Sequence, residues 1–372
     1  MISRGKDKVY IILLNWNGWG DTIECLESVF RNSHPHYQVV VCDNLSHDGS
    51  WEQLQDWANG LLVSPAAENP ILRVHTVPPV PKPISYVTYS RSAAENGGDA
   101  GAAAARLILI QTGGNLGYSG GNNVGLRYAL ARDDFAYVWL LNNDTVVTPA
   151  ALTALVTRLQ ERKEAGICGS TLLYYDEPEV VQVRGGVSYN RWFATMRPLA
   201  NGQWVDAPFD LHEIERGMGY PTGASMLVTR DFLRTVGLLS ESYFLYYEEL
   251  DWVTRARGRF AMAYSAESVV YHKEGRSVQA ISNDLFHHAD YYAHRNRLRY
   301  TRKYFPIGLP TTVLRTLTAA IARLWRGQPR RAWALVRLTF SPQTYAVSET
   351  ELKEETRKAT GRMNEGGRGL GF

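Results

Sequence analysis

Three apolar runs of strand type end abruptly in amides or carboxylates: VYIILLN at 9–15, YQVVVCD at 37–43 and YVWLLNND at 137–144. Runs with no polar alternation are apolar on both faces, as strands of a parallel sheet covered on both sides must be. In such a sheet the ligand site lies beyond the carboxyl ends of the strands. The polar residues Asn15, Asn17, Asp43, Asp48, Asn115, Asn123 and Asp144 all sit at or just past such ends. A turn built by Asn, Asp and Pro149 explains the last run equally well on local grounds, because these residues cap backbone groups.

The intervening segments decide the class. DTIECLESVFRNS at 21–33 reads as a helix with Asp21 at the N-cap and Glu24 three residues on, and 51–57 reads as a second. Strand, helix, strand, helix predicts an α/β chain with a mostly parallel, doubly wound sheet. Residues 64–104, with VPPVPKP and ENGGDAGAAAA, read as an inserted loop outside the core. The pattern resumes with RLILIQT, a glycine-rich loop GGNLGYSGGNN, a helix over 124–132, the YVWLL strand and a helix opened by Pro149. The expected organisation is a catalytic domain over 1–290, a basic helical region over 291–340 and a disordered tail over 341–372.

Charge marks the second of these. The formal net charge is only +3 over 372 residues, but eleven Lys and Arg fall between Tyr291 and Phe340 with no Asp or Glu. At 100° per residue Val313, Leu314, Leu317, Ile321, Leu324 and Trp325 share an arc of about 120°, opposite Arg315, Arg323 and Arg326. Such a helix either packs on the domain or lies on an anionic membrane surface through 310–340, and the second is favoured. No nucleic-acid-binding fold accompanies the charges. Three scattered cysteines, an apolar N-terminal run of six residues and no apolar stretch of about 18 lead to the expectation of a cytoplasmic protein, peripheral on the inner face of the membrane.

The chemistry-bearing residues are a carboxylate flanked by amides (Asn142, Asn143, Asp144), the cluster Glu248, Glu249 and Asp251, and a strand-end His272. Together they make a hard-cation site with a separate general base, and oxygen ligands suit Mg²⁺ or Mn²⁺, which commonly bridge nucleotide phosphates. Neither a dinucleotide fingerprint nor a P-loop occurs.

Taken in order, ILLNWNG, VVVCDNLSHDGS, NLGYSGGNNVGL, WLLNNDTVV, GASMLVTRDFLRTVG, YFLYYEELDWVTRARG, VVYHKEG and YYAHRNRLRY resemble the inverting family-2 glycosyltransferases of GT-A fold. More narrowly, they look like the rhamnosyltransferase branch of cell-surface polysaccharide assembly. The resemblance implies that Asn15, Asn17, Asp43, Asn44 and Asp48 hold the nucleotide base and ribose, and that Asn115, Gly117, Gly121 and Asn123 lie against the donor. It places the family's Asp-x-Asp on Asn142, Asn143 and Asp144, with Asp144 and His272 as metal ligands. The general base falls on Glu249, with Glu248 beside it and Asp251 second; the family's usual Glu-Asp pair reads Glu248-Glu249 here. The implied reaction moves a sugar, L-rhamnose from dTDP-L-rhamnose, to a glycan or lipid-linked acceptor. A UDP- or GDP-sugar donor and an inactive nucleotide- or glycan-binding homologue stay open as alternatives.

Overall fold

The computed structural model describes residues 7–64, 67, 69–273 and 283–340. The expected disordered tail, 341–372, lies outside them. The chain divides into two units, 1–296 and 297–372.

The strands of the first unit are β1 (Val9–Asn15), β2 (Tyr37–Asp43), β3 (Tyr86–Ser90), β4 (Leu107–Gln111), β5 (Tyr137–Asn142), β6 (Thr145–Val147), β7 (Ala165–Tyr174), β8 (Val181–Arg184), β9 (Gly186–Asn190), β10 (Thr195–Pro198), β11 (Tyr220–Pro221), β12 (Ser225–Thr229) and β13 (Ala261–His272). Its helices are α1 (Trp19–Val29), α2 (Ser50–Asn59), α3 (Pro70–Arg73), α4 (Arg91–Glu95), α5 (Gly117–Arg132), α6 (Ala151–Glu161), α7 (Leu211–Gly217), α8 (Arg230–Val236) and α9 (Glu248–Ala256). Then follow α10 (Asn283–Tyr304), α11 (Leu309–Trp325) and α12 (Pro329–Phe340).

One ten-stranded sheet runs β3-β4-β2-β1-β5-β12-β7-β13-β6, with β8 beside β7. The first five strands are mutually parallel, as their unbroken apolar runs predict, and β12 enters antiparallel between β5 and β7. Sequence order reverses at β1, which lies between β2 and β5; a crevice opens at such a switch point. Helices α1 and α6 bring Ile23, Leu26, Leu152 and Leu155 against Val9, Ile11, Val39 and Trp139, all fully buried. A second, three-stranded sheet, β10-β9-β11, is antiparallel.

Three expectations need correction. Residues 64–104 are not simply a loop: β3 pairs with β4 as the sheet's edge strand, and Leu72, Ile84, Ala94 and Ala102 are buried. Buried Glu27 anchors this stretch, accepting from Val80 N at 2.7 Å and from Lys82 Nζ at 2.9 Å. The alternating YVTYS at 86–90 was hidden by the Pro and Gly around it. The helix expected at 124–132 starts at Gly117, so most of the glycine-rich loop is helical; side-chain propensity undercounted a helix whose glycines serve close packing. Helix α1 likewise begins two residues before Asp21, with Gly18 at its N-cap.

Among the described residues no helix is long and apolar enough to cross a membrane, and all three cysteines are buried and unpaired.

Candidate active site

Four adjacent parallel strands end in a row of polar side chains. Gln111 of β4 stands beside Asp43 of β2, Asp43 beside Asn15 of β1, and Asn142 of β5 beside Leu14. Asp43 is fully buried, and both of its oxygens are occupied: Oδ1 accepts from Asn15 Nδ2 at 2.7 Å and Ser46 Oγ at 2.6 Å, Oδ2 from Gln111 Nε2 at 2.8 Å and Ser46 N at 3.1 Å. Asn17 Oδ1 accepts from His47 N at 2.7 Å, and Asp48 Oδ1 from Ser50 N at 3.0 Å. Asn15, Asn17 and Asp43 hold the β1 and β2 exit loops to one another, and Asp48 bonds within the second.

The glycine-rich segment is arranged differently from the sequence reading. Asn44 donates to Gly117 O at 3.1 Å, and Asn115 Oδ1 caps Gly117 N at 3.0 Å. Gly117 has φ +67°, and a Cβ there would collide with the Phe244 carbonyl; at Gly121 one would collide with Leu14. These two glycines let protein approach protein. Asn123 is fully buried and faces away from the row, donating to Leu239 O and Glu241 Oε1, both at 2.9 Å.

On the other side of β1, β6 pairs antiparallel with β13 in the register His272↔Thr145, which puts Asp144 against His272. Asp144 Oδ1 stands 3.3 Å from His272 Nε2, and Asn142 Nδ2 is 3.4 Å from the same nitrogen. His272 Nδ1 lies 2.8 Å from Gln182 Oε1. A proton on Nδ1, donated to that oxygen, leaves the Nε2 lone pair turned toward the carboxylate. Two acceptors 3.3 Å apart want a cation between them, and ligands at about 2.1 Å in adjacent octahedral positions are separated by roughly 3 Å. The pair therefore fits a divalent ion. Burial disfavours charge on Asp144, yet His272 when protonated outweighs this and holds the carboxyl below its usual range, and a bound divalent ion would replace that proton. Among the described residues no group of three or more His, Cys, Asp and Glu could hold a metal, so the remaining positions would fall to phosphate and water. Asn143 turns aside to Thr22 Oγ1 at 2.9 Å.

The carboxylate cluster faces the end of β5. Asn142 N donates to Ala224 O at 3.0 Å, and the neighbouring Gly223 N donates to Glu249 Oε1 at 3.2 Å. A two-residue step thus joins the end of β5 to the carboxylate. Tyr118 lies over this step, donating to Gly223 O at 2.7 Å. Burial pushes the Glu249 carboxyl up to about 7. Glu248 is 2% exposed, its Oε2 has no hydrogen-bond partner among the described residues, and burial with the neighbouring Glu249 charge raises its carboxyl well above the usual range. Asp251, fully buried, is instead tied to Arg255 Nε at 2.8 Å. The turn before α9 is strained: Tyr246 and Tyr247 have φ +68° and +78°, and bulky side chains rarely sit there. Asn296 clamps it, donating to Leu245 O at 2.8 Å and Tyr246 O at 3.0 Å.

Residues 10–74 and 99–211 match the family described as glycosyl transferase family 2. Over those two stretches, just under half of the chain, it is similar to family-2 glycosyltransferases. Its mostly parallel mixed sheet fits the GT-A fold expected from the sequence. The matched residues include the whole strand-end row and Asp144; Glu248, Glu249 and His272 lie beyond them. The low-salt glycan biosynthesis hexosyltransferase Agl10 of Haloferax volcanii is 31% identical over 153 residues, 41% of this chain and 46% of that protein. The chain thus spans less than half the length of that relative. Among solved structures, a mannosyltransferase from Pyrobaculum calidifontis with GDP-Man and Mn²⁺ is 12% identical with a TM-score of 0.48, covering 92% of this chain and 89% of that one. S. aureus TarS, residues 1–349, is 14% identical with a TM-score of 0.41, covering 78% and 64%.

Several residues of the candidate site went unnoticed in the sequence. Ser46, Gln111, Gln182, Gly223 and Asn296 are ordinary in local context, and only the folded register shows their partners. Gln111 alone carried a usable signal, a polar residue ending the apolar run LILI.

Proposed function

We propose that the chain transfers a sugar, with inversion, from a nucleotide-sugar donor to a glycan or lipid-linked acceptor. The observation that carries this is the Gly223–Ala224 step, which sets a carboxyl held near neutrality beside the strand end bearing Asp144 and His272. The resemblance favours dTDP-L-rhamnose as donor, and rhamnosyl transfer in surface-polysaccharide assembly as the role.

Glu249 is the base. An acceptor hydroxyl is a poor nucleophile until its proton is accepted as the new bond forms. The proton passes to Glu249, the acceptor oxygen bonds to the anomeric carbon from the face opposite the phosphate, and the bond to the nucleoside diphosphate breaks. Glu248 keeps the surroundings of Glu249 proton-rich and dry, raising basicity toward the working pH. Asn15, Asp43, Ser46 and Gln111 form a preset floor for the nucleotide, and Gln182 fixes the His272 ring. Asp144 and His272 would hold Mg²⁺ or Mn²⁺, which when bound offsets the charge developing on the departing diphosphate.

Thermal unfolding with dTDP, UDP and GDP, each with Mn²⁺ or with chelator, tests this in wild type and Asp144→Ala. A ligand at about 100 times its dissociation constant adds roughly 2.7 kcal/mol, a readable midpoint shift. A shift by one nucleotide that needs both Mn²⁺ and Asp144 is expected, dTDP producing it if rhamnose is the sugar. UDP or GDP in its place would change the donor, and no shift with any would overturn the reading.

A further inference from the structure

Helix α11 of the second unit packs with its polarity reversed. The buried residues of α11 are Thr312, Thr316 and Ala320, four apart and therefore one stripe. The threonine hydroxyls return to main-chain carbonyls one turn back, Thr312 to Gly308 O at 2.9 Å and Thr316 to Thr312 O at 3.0 Å. On the opposite side, by the 100° step, lie Leu314, Ile321 and Trp325, which are 63%, 53% and 88% exposed. Helix α12 buries Ala332, Leu335 and Leu338 and exposes the stripe Arg330, Trp333, Arg337 and Phe340.

A helix pair surrounded by water buries its large apolar side chains and exposes its threonines. Small residues at the contact with large apolar ones outside is the pattern of helices whose surroundings are themselves apolar. Neither helix is long and apolar enough to cross a membrane, and arginines interleave with the exposed aromatics. From Arg297 to Phe340 there are ten Lys and Arg and no Asp or Glu, which selects an anionic surface. We infer that α11 and α12 form an interfacial hairpin that docks the chain on an anionic lipid surface. Leu314, Ile321, Trp325, Trp333 and Phe340 enter the boundary between headgroups and acyl chains, while arginines such as Arg326 and Arg330 meet lipid phosphates. The inference is independent of donor and reaction.

Flotation of the full chain with phosphatidylcholine vesicles, with and without phosphatidylglycerol, tests it. Binding at least about tenfold stronger to the anionic vesicles is expected, weakening as salt rises. The double variant Ile321→Glu/Trp325→Glu abolishes binding, and Arg326→Gln/Arg330→Gln lowers it about tenfold toward the neutral-vesicle level. All four side chains are exposed, so both variants keep the wild-type circular dichroism spectrum and nucleotide-induced midpoint shift. Absence of flotation, equal binding to neutral vesicles, or binding that survives both double variants overturns the inference. So does a concentration-dependent dimer that Ile321→Glu/Trp325→Glu splits, since a second copy would then cover the face.

Discussion

The two sides of the β5 strand end are built on opposite principles. On the β1–β2 side a buried carboxylate, Asp43, has every oxygen occupied by protein donors. On the α9 side Glu248 is buried with one oxygen unpartnered among the described residues, Glu249 accepts from Gly223 N at 3.2 Å, and the turn leading to them is strained. A satisfied network fixes a shape. A buried pair of carboxyls with raised affinity for protons does something else, and such perturbed groups cluster at sites of chemistry. On the proposed function the first side is a floor for the donor, and the second is where the acceptor's proton goes.

The strongest way to break this contrast is Glu249→Gln. Loss of the base is expected to lower turnover by about 10²–10⁴-fold while the nucleotide-induced midpoint shift persists. Because the base must be ionised, wild-type kcat/KM should rise with pH and level off above about 7, where burial has pushed the carboxyl. A flat profile from pH 5 to 8, or a variant that turns over normally, would move the base elsewhere.

Asp43→Ala probes the floor. It strands the donors of Asn15, Ser46 and Gln111 together, which should cost roughly 2–4 kcal/mol in urea unfolding. Nucleotide binding should weaken with it. A stability loss below about 1 kcal/mol would show that water replaces the carboxylate and that the network is not preorganised.

How much of this was legible in the chain follows the same division. The floor was readable because buried parallel strands are continuous apolar runs, and a polar residue ending one stands out; Asn15, Asp43 and Asn142 do. The edge strand β3 was missed because Pro78, Pro81 and Pro83, with Gly97 and Gly98, surround an alternating YVTYS too short to outweigh them. Asn123 was misplaced for a related reason: a glycine-rich run looks like a loop until the close approaches at Gly117 and Gly121 show why a helix contains it. The α9 carboxylates were visible as a cluster, but their separation into a tied Asp251 and a raised Glu248-Glu249 pair depends on Arg255 and Gly223, which only the fold brings to them.

Asn296 sharpens the contrast at the strained turn. Its two bonds to the Leu245 and Tyr246 carbonyls hold a conformation that costs on the order of 1–3 kcal/mol at each tyrosine. Asn296→Ala should lower kcat about tenfold with donor affinity unchanged, since one misplaced carboxylate loses alignment without losing the nucleotide floor. The pH at which kcat/KM levels off should shift as well. A fall in stability with kcat and pH profile intact would make Asn296 a structural clamp only.

The smallest effect isolates the raised proton affinity itself. A Glu248 carboxyl held well above its unfolded value means that the native state binds more protons than the unfolded one above about pH 4.5. Its contribution is therefore fully present below that pH and is lost as pH rises through the folded value. Glu248→Gln keeps the shape without the proton, so the variant should match wild type near pH 4.5 and gain on it progressively toward pH 8, by about 1 kcal/mol or a few degrees in Tm. A difference independent of pH would mean that Glu248 is already ionised and paired, and the two sides of the strand end would then be alike.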